Sequence, residues 1–229
     1  GFFFNTMYNV VDTYFAGYLS TEALAALSLS FPVFFIIIAL SSGISTGTAA
    51  ILANALGRGN LEEARHRAKQ AISFGIFLAI ALTVIGLVSA PALFRILGAE
   101  SAYLETALAY INPIFFGSAF FVFSFLFNAM LNSRGDTKTF RNVLIVGFFL
   151  NILLDPLFMF GWGPLPAFGI AGIAWATVLI EFLGALYMAY KVHQTGMLSG
   201  MTLSSLRPEK EAYKEISAQG FPAGLSMMT

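Results

Sequence analysis

Apolar residues along the 229-residue chain collect into long unbroken runs instead of short amphipathic periods. Five of them, near residues 31–53, 70–90, 107–131, 142–161 and 169–190, are each long enough as helices, at about 1.5 Å per residue, to cross a hydrocarbon core of about 30 Å. A sixth, residues 1–19 ("GFFFNTMYNVVDTYFAGYL"), has no initiator Met, no basic leader and no small-residue cleavage site, so it reads as the remainder of a membrane helix and not as a signal peptide. At the other end "GFPAGLSMMT" opens a new apolar segment at Phe221. The pattern predicts an all-α membrane protein: a six-transmembrane-helix bundle over residues 1–190 with its first helix clipped, a cytoplasmic linker over 191–220, and the start of a seventh membrane helix over 221–229.

Between the runs, Lys and Arg alternate from side to side. Arg58, Arg65, Arg67 and Lys69 follow the second run, Arg134, Lys138 and Arg141 the fourth, and Lys191, Arg207, Lys210 and Lys214 the sixth in chain order; Arg95 alone falls at the opposite parity. The positive-inside rule then predicts that these loops and the N-terminus are cytoplasmic, in a cell or plasma membrane. The linker carries "RPEKEAYKEI", which suits an amphipathic surface helix or an ordinary solvated connection. "LANALGRGNLEEAR" and "FNAMLNSRGDTKTFR" echo each other weakly where helices enter basic loops. Gly43 and Gly47, four apart in "SSGISTGTAA", favour close approach of a neighbouring helix.

Composition narrows the function classes. The chain is 58% hydrophobic with 25 Phe and only 10% charged residues, far from the usage of a soluble domain. With no Cys there is no thiolate metal site, disulfide or cysteine nucleophile, and both histidines, His66 and His193, fall in predicted loops. The basic loops need no nucleic-acid partner, since membrane orientation accounts for them.

Three carboxylates interrupt the apolar runs: Asp12, Asp155 and Glu181, with no Lys or Arg in the runs to pair with. Placing such a group in a bilayer costs about 2.5 to 3.5 kcal/mol on the insertion scale, and intramembrane acids commonly mark ion or proton paths. Counting about 1.5 Å per residue, Asp12 and Asp155 both lie about 10 Å from the outer ends of their helices; Tyr8 and Asn151 lie about 15 Å in, Thr177 about 12 Å, and Tyr110 nearer the outer surface. Tyr8 and Asp12 are four apart, as are Asn151 and Asp155, so each pair shares a helix face. Pro156 removes the helical donor of the Ile152 carbonyl, adding a free oxygen. Such oxygens suit Na⁺, and a desolvated carboxyl can instead take a proton, so the residues leave the choice of ion open.

"YNVVDTYFAG" in the first run, "GRGNLEEAR" after the second, "NSRGDTKTFRN" and "NILLDPLF" together resemble the multidrug and toxic compound extrusion (MATE) transporters over essentially the whole chain. The resemblance implies the N-terminal lobe of a twelve-helix protein lacking its C-terminal lobe, and a transporter, not an enzyme. It implies a cation-coupled antiporter, needing no cofactor beyond Na⁺ or H⁺, that has membrane lipids around it and exports organic, often cationic or amphiphilic compounds. By the same resemblance Asp12 is the coupling acid, Asn151 and Asp155 stand beside it as a possible Na⁺ site, and Tyr8, Tyr110 and Thr177 support them. Asn128 matches a polar family position, but its depth places it near the inner end; it and Glu181 are expected at most to line a cavity. The Phe-rich "FFGSAFFVFSFLF" offers apolar and cation-π contacts to varied substrates.

Two rival readings are weaker. A lipid-linked precursor flippase would be expected to carry basic residues inside its spans, which this chain lacks. An intramembrane aspartyl protease would place a catalytic Asp in a Gly-x-Gly-Asp context, whereas the one Gly-Asp pair here, Gly135–Asp136, sits in a basic loop.

Overall fold

The computed structural model describes residues 2–100 and 102–227, so residue 1 of the first run and residues 228–229 of the expected seventh helix lie outside the described residues. In chain order the elements are α1 (Phe2–Leu19), α2 (Thr21–Gly57), α3 (Leu61–Ile96), α4 (Ala102–Phe116), α5 (Ser118–Asn132), α6 (Lys138–Phe160), α7 (Ile170–Gln194), a 3-10 turn (Leu203–Leu206) and α8 (Lys210–Ser226). Among the described residues, α2, α3, α6 and α7 are long and apolar enough to cross a membrane, and the bent pair of α4 and α5 makes a fifth span if counted as one. The chain is thus an all-α, multi-pass membrane protein. α1 has 18 residues but is not among these spans, its hydropathy diluted by Asn9, Asp12 and Thr13.

Three elements differ from the hydropathy pattern. α2 and α3 run to 37 and 36 residues because the helical ladder extends beyond the apolar runs, through the Ala- and Leu-rich TEALAALSLS of α2 and the charged LEEARHRAK of α3. The run at 107–131 is broken at Gly117, whose amide still reaches the Pro113 carbonyl at 2.9 Å; a Cβ there would stand 2.6 Å from Val178. α8 continues without interruption through positions 220 and 221, where the pattern places the change from linker to membrane helix.

The paired sequence echo is explained by capping. After α2, Gly59 takes φ +72°, the Asn60 amide returns to the Ala55 carbonyl (3.0 Å), and Asn60 caps α3 by accepting from the Glu63 amide (3.0 Å) while donating to the Glu63 carboxylate (3.1 Å). After α5, Gly135 takes φ +86°, the Asp136 amide returns to Leu131 (3.0 Å), and Asp136 accepts from the amides of Lys138 (3.1 Å) and Thr139 (3.0 Å) at the start of α6. Both sites need a left-handed glycine followed by a short polar acceptor, and this shared need is enough to make the sequences alike.

Contacts divide the chain into two compact units. The first comprises Gly1–Phe35, Ala81–Ser118 and Arg141–Leu183, and is centred on the fully buried Phe94, Tyr110, Ile111, Ile114, Met159 and Ile173. Gly86 leaves room for the Phe115 ring, and Gly172 sits against the Phe158 backbone. The second comprises Ile36–Ile80, Ala119–Phe140 and Gly184–Thr229, with Ile37, Leu52, Leu126, Met130 and Leu131 in its core. There Gly43 and Gly47 of α2 meet Gly220 and Gly224 of α8, realising the close approach that their spacing predicts. Lipid tails are as apolar as these side chains, so such contacts rest on van der Waals fit and not on removal of water.

Candidate functional site

Within the first unit, three helices each turn a polar face inward. α1 brings Asp12 (3% exposed), α6 brings Asn151 and Asp155 (both 0%), and α4 brings Tyr110 (0%). The Asn151 amide nitrogen donates to Asp12 Oδ1 at 3.1 Å and to Asp155 Oδ1 at 2.9 Å, so a single side chain bridges two carboxyl groups from different helices. The i, i+4 spacing of Asn151 and Asp155 makes the second bond local to α6, whereas the first is a tertiary contact between α1 and α6. The Tyr110 hydroxyl donates to the other Asp12 oxygen, Oδ2, at 3.2 Å.

One turn from Asp12, the Tyr8 hydroxyl donates to the Leu144 carbonyl at 3.4 Å. That position exists only because residue 147 is glycine: a Cβ there would collide with the Tyr8 hydroxyl and approach Ile180 to 3.0 Å. Leu144 and Gly147 are parts of the site that hydropathy and charge did not single out. The single cue in the sequence was a lone Gly inside a strongly apolar helix.

Among the expected site residues, three buried oxygens of the first unit have no hydrogen-bond partner: Asn151 Oδ1, Asp155 Oδ2 and Thr177 Oγ1. Buried polar atoms are ordinarily satisfied, so the orphaned Asn151 and Asp155 oxygens at the bridged pair mark a place that suits a positive species, while Thr177 belongs to the same unit on α7. The ion pairs among the described residues lie elsewhere, at Arg58–Glu63, Arg65–Glu62, His66–Glu209 and Arg67–Glu215. Among the described residues no three His, Cys, Asp or Glu side chains group together, so the donor set is carboxyl, amide and hydroxyl oxygen, which matches a hard cation and not a soft transition metal.

The remaining candidates are placed differently. Glu181, one turn along α7 from Thr177, is half-buried in the first unit. Asn128 belongs to α5 in the second unit, where its Oδ1 accepts from Asn132 at 3.1 Å, and is not among the contacts of Asp12. Pro156 lies inside α6 without ending it, and Ile152, whose carbonyl it deprives of a donor, has a side chain 42% exposed and so lies off the buried face that carries Asn151 and Asp155.

The MatE family model matches residues 1–157. The "Probable multidrug resistance protein NorM" of Thermotoga maritima is 31% identical over 222 residues, 96% of this chain and 47% of that protein. The "FAD transporter" of Shewanella oneidensis is 34% identical over 182 residues, 80% of this chain and 40% of that protein. A crystal structure of MATE in the bent conformation superposes with a TM-score of 0.89 at 32% identity, covering 98% of this chain and 50% of the other. The chain spans about half the length of the curated relatives it matches. From the family match, the half-length superposition and the helical lobe itself, the chain belongs to the multidrug and toxic compound extrusion family.

Proposed function

We propose that this chain forms one lobe of a cation-coupled antiporter that exports organic, often cationic or amphiphilic compounds across the plasma membrane by alternating access, and that Asp12, Asn151 and Asp155 take the coupling Na⁺ or H⁺. The observation that carries the reading is the amide-bridged carboxyl pair with unpartnered buried oxygens beside it. A cation entering there would be held by Asp12, Asp155 and the Asn151 carbonyl oxygen, with the Thr177 hydroxyl as a further donor. Tyr110 keeps Asp12 oriented. The cation drives a change of state only as far as it binds one state better than the other, and charge neutralisation at two buried acids supplies such a difference.

A second reading concerns the substrate. The Shewanella relative carries the name FAD transporter, and an anionic dinucleotide would call for basic side chains along the path. The apolar runs of this lobe contain no Lys or Arg, which favours cationic and neutral compounds.

The test is efflux from proteoliposomes containing the complete transporter polypeptide, with ethidium and FAD as alternative cargoes under imposed Na⁺ or H⁺ gradients. Gradient-driven ethidium efflux lost in both Asp12→Asn and Asp155→Asn, with protein still folded, is the expected result and identifies the ion. Efflux unaffected by either substitution would remove the coupling role from this site. FAD efflux in place of ethidium efflux would keep the ion site and replace the substrate class.

A further inference from the structure

The start of α3 is dense in polar side chains, and in the second compact unit most of them engage the connection between α7 and α8. Gln70, 1% exposed, donates from Nε2 to the carbonyls of Ser205 (3.2 Å) and Arg207 (3.0 Å) and accepts at Oε1 from the Glu209 amide (3.1 Å). One side chain thereby satisfies three peptide groups of the segment leading into α8. Close to one turn later, Ser73 Oγ donates to the Leu206 carbonyl (2.6 Å) and lies 2.9 Å from the Tyr213 hydroxyl, whose ring stands edge-on to Phe74 at 4.8 Å. At the margin, Arg65 donates to the Gly196 carbonyl (3.2 Å), His66 meets Glu209 (2.9 Å) and Arg67 meets Glu215 (2.8 Å). The marginal ion pairs are partly solvated and individually weak. The buried amide is not, since its loss would strand three peptide groups at once.

The far part of α8 is fastened by a different means. A Cβ on Gly43 would stand 2.5 Å from the Gly220 carbonyl oxygen, and one on Gly47 would stand 2.5 Å from that of Ile216. Backbone therefore meets backbone between α2 and α8.

We propose that Gln70, assisted by Ser73, latches the α7–α8 connection onto α3, so that residues 203–213 and α8 move as a fixed part of the second unit and do not act as a slack tether. Gln70 is a positioning residue in this scheme, acting through the segment it holds. Its bearing on transport rests on the antiporter reading above: the change of state then occurs without release of residues 205–209.

Amide hydrogen exchange on the complete transporter in nanodiscs tests the latch without requiring transport. In the unsubstituted protein, residues 205–213 are expected to be protected, with rates that change less than about threefold on adding Na⁺ and ethidium. Gln70→Glu keeps the side-chain size and an acceptor for the Glu209 amide but loses both N–H bonds to the Ser205 and Arg207 carbonyls, so exchange across 205–207 should rise about tenfold or more, with a fall in efflux rate and little change in the cation concentration needed for half-maximal efflux. Ser73→Ala is the milder companion, with a rise of about threefold in the same peptides, and decides the matter if Gln70→Glu does not fold. Rates at 205–209 near those of an unstructured peptide, a tenfold rise on adding cation and cargo, or no response to either substitution would each overturn the latch. Absent efflux with intact protection would instead count against the antiporter reading alone.

Discussion

Asn151 uses one nitrogen to hold two acids, so its replacement should be felt at both. Asn151→Leu keeps the branched shape but strands the Asp12 and Asp155 oxygens it served; a loss of about 1 to 3 kcal/mol is the scale for such groups, and about tenfold or more weaker cation dependence of efflux is the expected readout. Tyr110→Phe removes one bond to Asp12 without moving the ring and should cost only a few-fold in the same assay. Gly147→Ala should destabilise by about 1 to 3 kcal/mol through collision with the Tyr8 hydroxyl, and Tyr8→Phe in the same chain should recover part of the loss because the colliding atom is gone; thermal unfolding in detergent checks both. Asp12, Asn151 and Asp155 were legible in the sequence because each interrupts an apolar run. Tyr110, whose hydroxyl meets Asp12, was reached through the depth count and the family resemblance together; Thr177 was named in the same way. Leu144 and Gly147 were not legible, since one contributes a backbone carbonyl and the other the absence of a side chain.

At the scale of elements, the caps and crossings carry the expectations. The Thr139 side-chain hydrogen bond, with the Thr139 amide, holds the Asp136 carboxyl below its ordinary value of 3.8. The depressed value means that this carboxylate supports the start of α6 above the ordinary value and loses that contribution as pH falls through and below it. Protection of the amides at 138–140, taken as the exchange rate relative to its intrinsic value at each pH, should therefore fall in acid, and Asp136→Asn, which keeps an acceptor without the charge, should flatten that response. Gly43→Ala should cost about 1 to 3 kcal/mol because its methyl meets a carbonyl oxygen of α8 that cannot rotate away; a lower unfolding temperature checks it. The glycine pair was readable from its spacing. The break at Gly117 was not, because hydropathy stays high straight through Pro113 and Gly117. Nor was the continuity of α8, where a shift from charged to apolar composition conceals an unbroken ladder. The role of Gln70 was hidden for a related reason, as it stands among Arg65, Arg67 and Lys69 and merged with their charge.

For the whole molecule, the alternation of basic loops gives an orientation that this Cys-free lobe makes convenient to test. A thiol introduced at Leu203, 90% exposed, should react with an impermeant maleimide only from the cytoplasmic side, and one at Trp162, 78% exposed, only from outside; reaction of both from one side would reverse or break the assignment. On the antiporter reading turnover has two halves, since an ion must be captured and then let go. The amide bridge bears on both. Its N–H₂ occupies Oδ1 of each acid, so on the antiporter reading a cation drawing on those oxygens has to displace a donor fixed on the same helix as Asp155, while the oxygen of the same amide remains free to help hold it. On the same reading the displaced donor stands ready to reclaim both oxygens as the ion leaves, so one amide would serve both capture and release.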